Sequence, residues 1–373
     1  MRIAFLCKRR YMSKDVILDR YARLYEIPYQ LAKLGHDVRG FCLGYQGQEE
    51  GHWVHEASPG RLEWQARSLG KTIFPALATY PRWLLERLRE YSPDIIIAAS
   101  DIPHVVLGSW IASKLNVPWV ADLYDNFEGF GQAKIPGMVG ALRRAVGKAD
   151  LVLTTSDLLC DMVRDVYSPR GEVISMPSSV DTSIFRPRDR TNSRALLGLP
   201  AQARLVGTAG GLSREKGIAT LYEAWSLLRE QHDDVHLVLA GPVEAATPLP
   251  VGDRVHYLGL LPHEQVAHLF SALDVGVMSI LDTPFGRYCF PQKAYEMLAC
   301  RLPVVAANVG AMPALFAGAR ECLFTSGDAA DLAHRISGQL ASARSLDIEI
   351  KDWKALIGSL EPTLQALVDR KTD

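Results

Sequence analysis

No stretch of this sequence approaches the ~18 consecutive apolar residues that a membrane-spanning helix requires, so no transmembrane segment is predicted. Cysteine is sparse. The six residues stand at 7, 42, 160, 289, 300 and 322, and no two form CxxC. That excludes a small disulfide-stapled domain and predicts reduced thiols in a cytosolic protein. Met1 runs directly into an apolar stretch with no cleavage pattern, so no signal peptide is predicted. Net charge is nearly absent: 41 Lys and Arg against 42 Asp and Glu, formally −1. Such a balance argues against non-specific nucleic-acid binding. Anion or membrane contacts must come from local clusters. Short repeats and low-complexity segments are also missing.

What is present is an ordinary globular composition, 48% hydrophobic and 22% charged. At about 150 residues per domain, the 373 residues predict two to three domains. The chain can bury a large core without disulfides or structural metals.

The patterning is that of an α/β protein. Arg2 to Cys7 is a short apolar run. Apolar residues then recur at helical spacing from Tyr21 to Leu34, and Gly35 ends that helix. Val38 to Leu43 reads as a second strand. Asp94 to Ala99 is nearly all apolar, as expected when both faces of a parallel sheet are covered. A helix over Val105 to Leu115 and strands at Trp119–Asp122, Leu151–Thr155 and Val173–Met176 follow. Pro187 and the polar residues to Arg194 read as a linker. The alternation then restarts with Leu205–Thr208, a helix from Ile218 to Glu230, and strands at Val235–Ala240, Val255–Tyr257, Val275–Met278, Val304–Ala306 and Cys322–Phe324. Two such runs predict two Rossmann-like domains facing a central cleft, with ligands at the carboxyl ends of the strands.

Two motifs carry chemistry. Gly210-Gly211-Leu212-Ser213-Arg214-Glu215-Lys216-Gly217 follows a strand and opens a helix. Glycines admit close backbone approach, and a helix N-terminus offers free N–H groups to an anion. The plainer reading is a solvated turn. The second motif is Phe290-Pro291-Gln292-Lys293-Ala294-Tyr295-Glu296, continuing to Ala306. Lys293 and Glu296 share a helix face. Glu296 there could accept hydrogen bonds from a ribose diol, or the two could form a surface ion pair of little worth.

These segments resemble the retaining glycosyltransferases of family 4, which have the GT-B fold. Gly210 to Gly217 is similar to G-x-L-x-x-x-K-G, and Glu296 falls on the second Glu of E-x7-E. Pro177-Ser178-Ser179-Val180-Asp181 with Phe185 and Pro187 resembles the interdomain P-N-G-V-D…F-x-P, and 148–156 resembles the A-D-x-V-x-x-x-S before it. The resemblance spans most of 148–310 and is weaker before it. It implies an N-terminal acceptor domain over 1–185 and a nucleotide-sugar donor domain over 186–345. It also implies a helical tail over 346–373 crossing back to the first domain.

The resemblance implies that Lys216 binds the donor diphosphate, with Arg214 as a second cation, and that Glu296 holds the ribose. Gly210, Gly211, Tyr288, Phe290, Gln292 and Lys293 complete the donor set. The leaving diphosphate would be neutralised by cations and helix dipoles, with no cofactor and no metal ion. The partners implied are a nucleotide-diphosphate sugar and a saccharide or lipid-linked acceptor, and no nucleic acid. The expected function is sugar transfer with retention in surface-glycan or lipid-linked saccharide synthesis, in the cytoplasm. A nucleotide-sugar epimerase and a non-catalytic nucleotide-sugar or glycan-binding protein are the alternatives. Departures from the family pattern are Gly211 in place of Arg, Tyr288 in place of the first Glu, and Ser178-Ser179 in place of Asn-Gly.

In the first half, Lys8, Arg9 and Arg10 follow the first strand. They suit a phosphate-bearing acceptor, or else hold the loop through Asp15 or Asp19. Asp122 and Asp125 follow another strand. Asp122 is the candidate for positioning or deprotonating the acceptor hydroxyl, with Asp125 as the alternate. Helix capping by Asp125 or Asn126 is the plainer reading, and paired carboxylates also raise a hydrolase. Trp53, Trp64, Trp83, Trp110 and Trp119 could line an acceptor groove or touch a membrane. Around Trp83, leucines and arginines form an amphipathic basic helix that lies on the inner membrane face or packs on the sheet. His52 with His55, and His232 with His236, have metal-like spacing but read as surface residues.

Overall fold

The computed structural model describes residues 1–12, 14–70 and 73–372. Contacts divide the chain into two compact units, Met1–Ser179 with Lys351–Asp373, and Val180–Ile350. The sequence pattern puts these boundaries after 185 and 345. The difference has a packing cause. Val180 and Phe185 are buried in the core of the second unit, and Leu346, Ile348 and Ile350 pack against that core.

Unit 1 starts with β1 (Arg2–Lys8) and a small antiparallel pair, β2 (Arg10–Tyr11) and β3 (Lys14–Asp15). Helix α1 (Ala22–Lys33), β4 (Asp37–Gly44), β5 (Gly51–Ala57) and β6 (Gly60–Ser68) follow. Then come α2 (Ile73–Tyr91), β7 (Ile95–Ala99), α3 (Ile102–Leu115) and β8 (Trp119–Leu123). The remainder is α4 (Met138–Val146), β9 (Leu151–Thr154), α5 (Asp157–Tyr167) and β10 (Glu172–Ser175). The sheet order is β10-β9-β8-β7-β1-β4-β6-β5. Its neighbours are parallel except β5 with β6. β7 and β8 are buried along their whole length, which only a sheet covered on both faces allows.

The β5–β6 hairpin was not predicted. β5 is an edge strand whose polar residues His52 and Glu56 are exposed, so it carries no continuous apolar run. The amphipathic helix is α2. Leu84, Leu85 and Leu88 are buried, so its apolar face is spent on the core of unit 1 and not presented outward. Among the described residues, no helix is long and apolar enough to cross a membrane.

Unit 2 contains α6 (Arg190–Leu196), β11 (Arg204–Ala209), α7 (Ile218–Gln231), β12 (Val235–Ala240) and β13 (Val255–Tyr257). It continues with α8 (His263–Ala272), β14 (Val275–Met278), α9 (Pro284–Tyr288), α10 (Gln292–Ala299) and β15 (Val304–Ala307). It closes with α11 (Met312–Leu315), β16 (Leu323–Phe324) and α12 (Ala329–Ala341). The order is β13-β12-β11-β14-β15-β16, all parallel. The segment read as a linker is in part helix α6. Asp189 caps it, and its buried Arg194 donates to the Ala272 and Ala201 carbonyls and to Asp274. A final helix, α13 (Trp353–Thr372), belongs to unit 1. It packs against α1, with Ile357 and Leu364 fully buried and Glu361 3.2 Å from His36.

Both sheets reverse their direction of growth once. From β1 the chain steps to β4 on one side, whereas β7 leads to β8 on the other. In unit 2 the same divergence falls between β11 and β14. Loops leaving adjacent strands in opposite directions open a crevice at the carboxyl edge.

Candidate functional site

The crevice of unit 2 is lined by the loop after β11 and the segments after β14. Gly210 has φ +111° and Gly217 φ +70°, conformations that residues with a Cβ adopt only under strain. Leu212 anchors the loop in the core, and its N–H donates to the Pro242 carbonyl. Gly217 packs directly on the Ser279 carbonyl, and Ser279 Oγ donates to the Lys216 carbonyl at 3.2 Å. The end of β14 thus fixes the backbone of Lys216. Its ammonium lies 3.8 Å from the centre of the Phe285 ring.

Pro291 precedes α10, whose first turn carries Gln292 and Lys293. Lys293 reaches across so that its Cε and Nζ lie 3.0 Å from where a Gly210 Cβ would stand. Burial, and then the neighbouring Lys216 charge, press the Lys293 ammonium down to about 8. Glu296 is buried one turn further on, and burial pushes its carboxyl up to about 7. Gln292 Nε2 donates to it at 3.4 Å, and His263 Nε2 stands 3.9 Å away. Two ammonium groups, a helix N-terminus and a buried carboxylate therefore converge. That set suits a polyanion next to a diol.

Arg214 is the second cation that the resemblance implied. Its side chain is exposed, and its backbone N–H is taken by Glu244. Gly211 is exposed, with nothing near the place of a Cβ. Tyr288 ends the short α9, and Phe290 stacks on Tyr295 with ring centres 5.0 Å apart.

In unit 1 the three basic residues at the end of β1, Lys8, Arg9 and Arg10, separate. Arg9 is fully buried. It grips Asp15 through Nε at 2.7 and 2.8 Å, donates to the Glu49 carbonyl and lies over Trp53. Arg10 donates to Gln46. Only Lys8 stays in the crevice, at 5.9 and 5.7 Å from the ring centres of Tyr11 and Phe130. Its backbone N–H donates to Ser100 Oγ. For Arg9 the loop-holding reading is the one the geometry follows.

Asp122 is wholly buried and forked by Arg23, with Nη2 to Oδ1 at 2.6 Å and Nε to both oxygens at 2.9 and 3.0 Å. Arg23 also donates to the Met176 carbonyl. Such a carboxylate is compensated and has no free access to a hydroxyl, so it ties α1 to β8 instead of handling a proton. Asp125 is half-buried and accepts the Asn126 N–H.

Sequence reasoning missed the centre of this crevice. Asp101 follows β7 after Ser100, caps α3 and binds His104 Nδ1 at 2.6 Å. Tyr45 donates to it at 3.0 Å, and Gln132 at 3.4 Å. His104 and Lys8 hold the Asp101 carboxyl below its usual range against the opposing effect of burial. The available signal was an Asp at the end of a central strand with Pro103 just inside the next helix, a helix-start pattern.

Two family models match this chain. The model described as glycosyl transferases group 1 covers 203–342, and the glycosyl transferase 4-like domain covers 22–178. A Bacillus subtilis protein, TuaC, named for a glycosyltransferase role in teichuronic acid biosynthesis, is 27% identical over 76% of this chain and 69% of its own. A D-inositol 3-phosphate glycosyltransferase of Arthrobacter is 28% identical over 63% of this chain, which spans 59% of that protein. Among solved structures, sucrose-phosphate synthase from Thermosynechococcus elongatus superposes with TM-score 0.75 at 22% identity, covering 99% of both chains. Anabaena HepE with UDP and glucose gives 0.70 at 20% identity, covering 98% of this chain and 99% of that one.

The chain is a GT-B glycosyltransferase.

The structure of this glycosyltransferase gathers Lys216, Lys293, Gln292 and Glu296 with Gly210, while Arg214 and Gly211 are exposed. The tryptophans do not form one surface. Trp64 and Trp119 are in the core, whereas Trp110 is exposed. His55, read from sequence as a surface residue, is buried and bonded to Tyr25. His236 meets His256 at 2.8 Å. Among the described residues, no group of three or more His, Cys, Asp or Glu is arranged to hold a metal ion.

Proposed function

We propose that unit 2 of this glycosyltransferase binds a nucleoside-diphosphate sugar. The enzyme transfers the sugar, with retention, to a hydroxyl of a saccharide or lipid-linked acceptor in surface-glycan synthesis. The carrying observation is the convergence of Lys216, Lys293 and Glu296 at the carboxyl ends of β11 and β14. The two ammonium groups and the start of α10 face the diphosphate. They stabilise the negative charge that grows as the glycosidic C–O bond breaks. Glu296, as a carboxylate, accepts hydrogen bonds from the ribose hydroxyls. The acceptor oxygen bonds the anomeric carbon on the face the diphosphate leaves, and its proton passes to the departing phosphate oxygen. The lysines carry out the charge neutralisation that a divalent cation performs elsewhere.

UDP is the first donor to test, because the HepE structures were solved with it. Thermal-shift measurements with UDP-, GDP-, ADP- and dTDP-sugars read binding by linkage. Stabilisation by one of them supports the reading, and no shift with any sinks it. Proton NMR of the first-formed product reads the anomeric configuration. Excess chelator should leave the rate unchanged. A cytoplasmic position beside the membrane would suit a lipid-linked acceptor, and cell fractionation tests it.

A further inference from the structure

For the crevice of unit 1, the sequence left open a phosphate among three cations or cations that hold the loop. One of those cations, Arg9, is neutralised in its ion pair with Asp15, and the exposed Arg10 donates to Gln46. The third, Lys8, sits against Asp101 and Asp125, whose charges both act on it. Lys8 rests on the rings of Tyr11 and Phe130. These belong to a wider aromatic group, with Tyr11 5.1 Å from Tyr124 and Phe127 5.0 Å from Phe130.

Polar atoms here also wait for a partner. His104 is 1% exposed, and its Nδ1 faces the Asp101 carboxylate at 2.6 Å, so Nδ1 carries the proton. Its Nε2 is buried with no hydrogen-bond partner among the described residues. The same holds for Oε1 of Gln132, whose amide nitrogen donates to Asp101. Ser100, between β7 and Asp101, adopts φ +87°, a strained value for a residue with a side chain.

Resting on the donor reading above, we infer that the acceptor bound in unit 1 is an uncharged saccharide ring, held by Lys8, Asp125 and Gln132 against the Tyr11–Phe130 aromatic group. Sugar hydroxyls both donate and accept. They match carboxylates, an ammonium and an amide set beside apolar ring faces. A phosphate matches only the ammonium and is repelled by two carboxylates. Asp101 and His104 lie beneath this surface and act as positioning residues that fix Lys8 and Gln132. The expected selectivity is opposite to that denoted by the names of the D-inositol 3-phosphate glycosyltransferases for those proteins.

The test is saturation-transfer NMR on the full chain with matched sugars. Glucose, mannose, fructose and myo-inositol are each compared with their monophosphates, and methyl glycosides of galactose and rhamnose are added. At least one neutral sugar should bind, at least about tenfold more tightly than any phosphorylated member, a gap of about 1.4 kcal/mol. Lys8→Met and Asp125→Asn should each weaken that sugar, with melting temperature and UDP-induced shift unchanged. A phosphorylated sugar binding better than its neutral partner overturns the inference. So does binding of no neutral sugar, or neutral binding indifferent to both substitutions. Loss of the UDP shift in the unaltered chain would instead overturn the donor reading.

Discussion

The ammonium end of Lys293 lies over Gly210, close enough that a methyl group there would stand 3.0 Å from both Cε and Nζ. Gly210 is therefore both a backbone requirement and the floor on which a charge rests. Gly210→Ala should displace Lys293 and lower UDP affinity measured by calorimetry. Gly217→Ala would drive a Cβ to 1.7 Å from the Ser279 carbonyl and should cost at least about 2 kcal/mol in denaturant unfolding. Gly211 has open space, so Gly211→Arg should fold normally and tighten UDP binding.

The cation assignment is separable by substitution. Lys216→Met and Lys293→Met should each weaken UDP binding by about tenfold or more, the size of a lost charge-assisted hydrogen bond. Arg214→Met should change it by less than about threefold, because that side chain is exposed and screened. Equal losses at all three positions would place Arg214 in the site.

The same pair sets a pH window. Burial raises Glu296 from 4.5 to about 7, so its contribution to stability is full below 4.5 and is lost as pH rises through 7. Burial and Lys216 lower Lys293 from 10.5 to about 8, so its contribution is full above 10.5 and is lost as pH falls through 8. Between these values both groups are charged at a cost that an anionic ligand with a diol offsets. The UDP-induced rise in melting temperature should be greatest between about pH 7 and 8. Binding near pH 8 should take up protons, read by calorimetry in buffers of different ionisation enthalpy. Glu296→Gln should remove the acidic fall and leave the alkaline one.

Asp122 and Arg23 form a buried pair, both fully inaccessible. Asp122→Asn or Arg23→Met should each destabilise the protein by about 3–5 kcal/mol by stranding a charge or breaking the fork. The double variant should recover part of that loss. Turnover per folded molecule should persist in Asp122→Asn. A collapse of turnover with unchanged stability would restore Asp122 to the chemistry.

The strands were legible because burial on both faces writes continuous apolar runs such as Ile95–Ala99. The Gly210–Gly217 loop was legible because its glycines stand where the backbone demands them. What failed to read was partnership. Asp122 and Arg23 are 99 positions apart, so charges isolated in sequence became a neutral pair in space. Arg214 and Lys216 are near in sequence, yet Lys293 is the cation that meets Lys216. Helix α6 was hidden because its first five residues, Arg190 to Arg194, are all polar, and Arg194 ties it to distant carbonyls.

Helix α13 gives the molecule an order of manufacture. Unit 2 is a single uninterrupted segment, whereas unit 1 is written in two pieces on either side of it. A ribosome must therefore finish the whole of unit 2 before the helix that covers α1 exists. Until then α1 lacks the cover of α13, in which Ile357 and Leu364 are buried. The first half of the chain to be made is the last to be completed.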